Sequence, residues 1–312
     1  MSRDDLRRPL PLAYHPLYRF YEGGALTRQF RGLPERPDDW WSEDWVGSCT
    51  CAGNPDPDGR VQGLSTVDLP SGQVTLKSLA DAWPEEMGDA SVLVKLLSPS
   101  GPVPLHAHPT RAWARRHLGS PFGKTEAWIV LATREEHADV WIGPREPVDA
   151  ATYRAWIEAQ DLDALLGSLH RVPVRAGDVI YVPAGVPHSI GAGVLIAELQ
   201  EPTDFSIVCE WQGFPIDPDD THLGMGWDVA LGAFDLRAHK PVRVLPEEAR
   251  EFFWADDNPS PAGRFAIWIV TAGEGEIDGM PARAGDTLAV PAAVDNVRVT
   301  GGLEILRCLG PA

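Results

Sequence analysis

"GDVIYVPAGVPHSIGAG", residues 177–193, decides how the rest of the chain is read. Four residues that break regular structure, Gly177, Pro183, Gly185 and Pro187, surround an apolar run, Val179 to Val182. The run has the β-branched and aromatic content of a short buried strand. The prolines and glycines beyond it fit a sharp turn rather than a continuing strand. The stretch predicts a strand that turns and delivers one imidazole, His188, to a fixed point.

The pattern occurs twice. "AGDVIYVPAGVPHSI" (176–190) aligns with "AGDTLAVPAAVDNVR" (284–298). Gly177 matches Gly285, Pro183 matches Pro291, and His188 falls on Asn296. An internal repeat of this kind implies two copies of one supersecondary unit. Only the first carries a metal-type ligand, so the first copy is the candidate site and the second is scaffold.

Two other places supply ligands after a strand-like run. "PLHAHP" offers His106 and His108, and "GKTEAW" offers Glu126. Residues i and i+2 of a strand share a face, so His106 and His108 can reach one ion. Neutral imidazoles with a carboxylate suit Zn²⁺ and also Fe²⁺, Mn²⁺ or Co²⁺.

Composition bounds the alternatives. The 312 residues carry 27 Lys and Arg against 45 Asp and Glu, a formal net charge of −18. Such a surface repels nucleic acid and anionic membranes, so neither is expected as a partner. An anionic substrate would need a local basic pocket. The first 37 residues are the exception, with seven Arg and four acids, and read as a solvated arm. "MSRDDLRRPLPLAYH" has no apolar core of the secretory type, and no apolar run reaches membrane-spanning length. Cys49, Cys51, Cys209 and Cys308 have neither zinc-knuckle nor redox-pair spacing and read as reduced residues of a cytoplasmic protein.

Helices are expected at 74–88, 108–119 (with Pro109 in the first turn and Gly119 at the end) and 149–170 (as two helices, with Asp149 as N-cap). Strands are expected at 91–99, 125–133 and 138–143, and again from Val172 to Trp211 and from Arg264 to Leu309. Trp40, Trp41, Trp45 and Trp128 could line a sugar pocket, although tryptophans of this kind are more often core.

The second motif, Gly177–Asp178–(x)4–Pro183–x–Gly185–(x)2–His188, resembles that of the cupin superfamily. The separation of "HAHP" (106–109) from "GKTE" (123–126), followed by "VPAGVPH" (182–188) and "ELQEPTD" (198–204), resembles the type I mannose-6-phosphate isomerase family. "FYEGGAL" (20–26) and "SEDWVGS" (42–48) resemble its N-terminal motifs, and the tail repeat resembles its metal-free C-terminal cupin.

The resemblance implies a mainly β protein of two cupin-type jelly-roll barrels with a small helical insertion at about 149–170. It implies a metal-binding catalytic unit over 1–240 and a metal-free one over 241–312. It implies His106, His108, Glu126 and His188 as ligands of zinc or another divalent ion, and Glu198 as the carboxylate that transfers a proton between sugar carbons. It also implies Lys124 as the source of charge for the open sugar and Asp204 as a residue orienting Glu198 or a water. The implied partner is a small sugar or sugar phosphate; the oligomeric state is open.

Two positions depart from the family pattern. His106 stands where Gln is usual. Val208 stands where the family has an Arg associated with catalysis and an anionic substrate, leaving Lys124, and Arg111 more speculatively, as the available cations. The resemblance implies a metal-dependent aldose–ketose isomerase converting mannose 6-phosphate to fructose 6-phosphate or acting on a related sugar; a metal-containing sugar-binding or regulatory protein without turnover and an Fe²⁺ cupin oxygenase stay open as alternatives.

Overall fold

In the strand Leu93–Leu97 every residue is buried, which places apolar partners on both faces of its sheet. A computed structural model describes residues 3–312 except Ser71 and Ala262. In it this strand lies in a six-stranded antiparallel sheet ordered Val179–Val182, Glu126–Thr133, Val194–Gln200, Leu93–Leu97, Glu43–Val46, Pro16–Leu17. Opposite it stands a five-stranded sheet ordered Leu169–Val174, Ala138–Pro144, His188–Ile190, His106–Ala107, Ile207–Val208. Between the two sheets Leu97, Trp128, Val130 and Ile196 pack with Val140, Ile142, Val172 and Ile190.

Period-two alternation then assigns everything else on the larger sheet. Val94, Leu96, Ala127, Ala197 and Leu199 face outward and pack with Ile267, Ile269 and Ala289 of the C-terminal sheet. Lys95, Glu126 and Glu198 alternate with them and point to the inner side, where the site is built.

The C-terminal sheet is ordered Leu10–Pro11, Thr287–Val290, Ala266–Ala272, Glu304–Leu309, Trp254–Asp256, so a strand from the N-terminal end completes it. A three-stranded sheet of Met280–Arg283, Glu274–Ile277 and Val299–Gly301 closes over it, with Trp268, Val270, Ile277, Leu288, Val290 and Ile305 between. This is the mainly β, cupin-type arrangement expected, made of facing sheets rather than one closed ladder.

The repeat holds at the level of the backbone. Gly177 and Gly285 both have positive φ, +91° and +93°. Asp178 accepts from the Arg175 N–H and Asp286 from the Arg283 N–H, each at 2.9 Å. The two copies diverge where the sequence does: His188 begins a paired strand, whereas Asn296 lies exposed in a loop.

The helical insertion is two helices, Ala150–Ala159 and Leu162–Gly167, capped by Asp149 on the Thr152 N–H and by Asp161 on the Ala164 N–H. Two helix expectations shift. The segment 74–88 ends a β-strand at Thr75 and is then split by Pro84 into Leu76–Ala82 and Pro84–Met87. The helix after "HAHP" runs Arg111–His117 with Thr110 as N-cap, so Pro109 precedes it. No helix of the described residues is long and apolar enough to cross a membrane.

Candidate metal centre and its carboxylate neighbour

The turn that opened the sequence reading does two jobs. Val182 pairs with Glu126 at the end of one ladder. Three residues on, Gly185 at φ +90° donates its N–H to the His108 carbonyl at 2.7 Å. A Cβ there would lie 3.0 Å from the Ala233 carbonyl oxygen, so the turn accepts only glycine without movement. The chain then pairs His188 directly with His106 across antiparallel strands. Sequence positions 106, 126 and 188 are thereby brought to one point from two sheets.

His106, His108 and His188 offer ligand nitrogens within 4.8 Å of one another, the one such cluster among the described residues. Each ring is fixed from behind. His106 Nδ1 lies 2.7 Å from the Pro104 carbonyl, His108 Nδ1 2.8 Å from that of Phe205, and His188 Nδ1 2.8 Å from that of Val186. A carbonyl oxygen only accepts, so each Nδ1 carries the hydrogen and each Nε2 presents a lone pair inward. His106 and His188 bring these Nε2 atoms to 3.0 Å. Burial, then the neighbouring His188, His108 and Lys124, holds His106 well below its ordinary pKa; burial and Lys124 hold His108 at about 3.

Glu126 completes the set, with Oε2 3.1 Å from His108 Nε2 and Oε1 3.3 Å from His188 Nε2. The Trp128 indole N–H donates to Oε1, while Oε2 is buried with no hydrogen bond. Burial raises the Glu126 pKa, but Lys124 and the imidazoles more than offset it and keep the carboxylate ionised. Lys124 itself lies 2.8 Å from His108 Nε2 and 3.3 Å from Glu126 Oε2. Lone pairs facing one another, an orphaned carboxylate oxygen and an ammonium drawn against them all fit a site made for a cation.

Beside it runs a feature that the sequence reading missed. Glu198 sits opposite Lys95 in register, 3.3 Å from its ammonium; Lys95 is 3.5 Å from Glu43; Glu43 is 3.2 Å from Arg19; and Arg19 donates to both oxygens of Asp204 at 2.9 and 3.1 Å. Glu198, Lys95, Glu43 and Arg19 are at least nine-tenths buried, and the Asp204 side chain is 6% exposed. Burial and the nearby Glu126 raise the Glu198 pKa against the opposing pull of Lys95 and Lys124. A cavity of about 30 Å³ bordered by His106, Lys124, Lys95 and Glu198 leaves room for a water-sized group. Lys95 and Arg19 escaped notice because a lone Lys in a strand and an Arg in a basic arm carry no motif. The cue was "SVLVKLLSP", where a charge interrupts a run too apolar to tolerate it unpaired.

Asp204 therefore reaches Glu198 only through Arg19, Glu43 and Lys95, and it also accepts from the Gly53 N–H. Arg111 is committed elsewhere, to Glu201 and Glu251, with its guanidinium over Phe252. Glu201 in turn accepts from the N–H groups of Gly123 and Thr125, on either side of Lys124. Val208 is buried and pairs with His106. Of the four tryptophans considered, Trp45 and Trp128 are fully buried and donate to Glu43 and Glu126.

Comparison with known proteins agrees with this geometry. A mannose-6-phosphate isomerase of Streptococcus mutans is 29% identical over 245 residues, covering 69% of this chain and 72% of that protein. One from Bacillus subtilis is 32% identical over 113 residues, 36% of this chain and 34% of its own length. In sequence the chain is thus similar to mannose-6-phosphate isomerases. No family model matches the sequence. Among solved structures, the mannose 6-phosphate isomerase from Bacillus subtilis superposes with a TM-score of 0.73 over 96% of this chain and 99% of its own, at 22% identity. A variant of phosphomannose isomerase from Salmonella typhimurium gives 0.72 over 97% and 100%, at 14% identity. The cupin-type fold of the family thus extends over nearly the whole chain.

Proposed function

We propose that this chain is a metal-dependent aldose–ketose isomerase acting on mannose or a related sugar, for which mannose 6-phosphate, the substrate in its relatives' names, is the reference compound. One observation carries the reading: three inward lone-pair nitrogens and the Glu126 carboxylate lie beside a buried carboxyl, Glu198, whose pKa is raised. His106, His108, Glu126 and His188 would hold the ion, and three nitrogens with one oxygen favour zinc among the divalent candidates. Bound there, it would supply Lewis acidity toward the sugar's adjacent oxygens.

Isomerisation moves a proton between two neighbouring carbons and needs a group that can both take and return it near neutral pH. Glu198 fits, because burial brings its affinity for a proton upward. Lys95 fixes its orientation and Lys124 faces the sugar oxygens. Asp204 acts at a distance, by holding Arg19 and through it Glu43 and Lys95. The work is assigned to residues 1–240, with 241–312 as a metal-free support that borrows the strand Leu10–Pro11. The four free cysteines suit a reducing, cytoplasmic setting.

The test is turnover of mannose 6-phosphate and of free mannose by zinc-loaded and EDTA-treated chain. Metal-dependent conversion of either supports the reading. Full metal occupancy with neither sugar converted overturns it, and leaves a sugar-binding protein without turnover.

A further inference from the structure

Next to the site lies a groove of about 610 Å³ whose charged lining residues are Arg19, Asp204, Asp217 and Asp220. Arg19, Phe20 and Ser206 border both this groove and the inner cavity beside Glu198, so the two spaces are neighbours. A sugar with its reacting carbons at the inner cavity would extend its other end into the groove.

That end meets three acids and one base. The base is not free. Arg19 donates to both Asp204 oxygens and to the Asn54 side-chain oxygen at 2.8 Å, and its Nε lies 3.2 Å from Glu43. Lys95 lies between Glu43 and Glu198, and Lys124 lies against Glu126 and His108. The cation that lines the groove, Arg19, is therefore already matched by the buried carboxylates of Asp204 and Glu43. A phosphate dianion would have to strip one of these partners, leaving a buried carboxylate uncompensated. It would also face Asp217 and Asp220, exposed on the rim. Val208 adds only apolar surface. Ser206 offers a hydroxyl for hydrogen bonding to a sugar O–H, and Tyr18 and Phe20 offer faces for sugar C–H.

We propose that the substrate is an unphosphorylated sugar, its distal hydroxyls lying in this groove, and that Asp217 and Asp220 help exclude the phosphorylated form. This rests on the isomerase reading. The experiment compares kcat/KM for D-mannose and D-mannose 6-phosphate on the metal-loaded full chain at low ionic strength. A repeat uses the double variant Asp217→Asn/Asp220→Asn. Mannose is expected to be preferred by roughly 10-fold or more. The variant is expected to raise kcat/KM for the phosphate ester several-fold and to change that for mannose far less. Preference for mannose 6-phosphate by the unmodified chain overturns the proposal while leaving the isomerase reading intact. A mannose preference that the variant does not alter overturns the role given to the two aspartates. Failure of both sugars removes the isomerase reading and this one with it.

Discussion

Lys95 and Glu198 are register partners on adjacent antiparallel strands, and their charged ends meet 3.3 Å apart on the inner face of their sheet. The pair holds a carboxyl at the metal cluster's edge in one orientation. Replacing Glu198 by Gln keeps the shape and removes the proton acceptor. Turnover should fall by about 10²- to 10⁴-fold with bound metal unchanged. Loss of metal along with activity would make Glu198 part of the ion's support instead.

The three imidazoles hold lone pairs against one another, so the ion should stabilise the fold as well as the reaction. Removing it with a chelator should lower the thermal midpoint reversibly; binding at 1,000 times Kd is worth about 4 kcal/mol. His188→Ala should reduce metal content from near one per chain to a small fraction, read by elemental analysis. Undiminished metal in that variant would place the ion elsewhere.

Glu201 touches neither cavity, yet it receives the N–H groups of Gly123 and Thr125 and the Arg111 guanidinium. It fixes the loop that presents Lys124. Glu201→Ala leaves those buried donors unmet, which costs about 1–3 kcal/mol each, and should depress kcat more than metal affinity. Glu201→Gln keeps acceptor capacity and should restore much of it. Equal damage from both substitutions would point to the charge rather than the hydrogen bonds.

The charge chain also sets the acid limit. Burial raises the Glu43 pKa, but Arg19 and Lys95 outweigh it and hold the group at about 2; Asp204 is likewise depressed by Arg19 and Lys95 against its burial. Carboxyls bound less tightly to protons when folded contribute stability above their ordinary values near 4 and lose it as pH falls below. Urea midpoints should therefore be flat from neutrality to about pH 5 and drop steeply toward pH 3. Glu43→Gln should be less stable at neutral pH and show a shallower acid slope; an unchanged slope would mean that other carboxyls set the limit.

Much of the site was legible because its signals are local. His106 and His108 are two apart in a strand, and Gly185 and Pro187 announce a turn just before His188. The doubled "AGD" turn announced a repeated backbone unit, with glycines of matching φ at 177 and 285. What stayed hidden depends on which strands lie side by side. Lys95 meets Glu198 only through a ladder spanning about 100 positions, and Arg19 meets Asp204 across 185. No period or spacing in a sequence carries that adjacency. The helix limits near Thr75 and Thr110 shifted for the opposite reason: a threonine that caps and a proline that merely precedes look alike until the backbone is traced.

Leu10–Pro11 hydrogen-bonds with Thr287–Val290, a strand that leaves the ribosome long after it. Arg31 reinforces the closure by reaching Gly285 and Thr287. Two segments far apart in the chain are therefore fastened together, and a ribosome must release both before the clasp can shut. Until then the outward apolar face of the metal-bearing sheet, which Ile267, Ile269 and Ala289 will cover, stands open to chaperones and to other nascent chains.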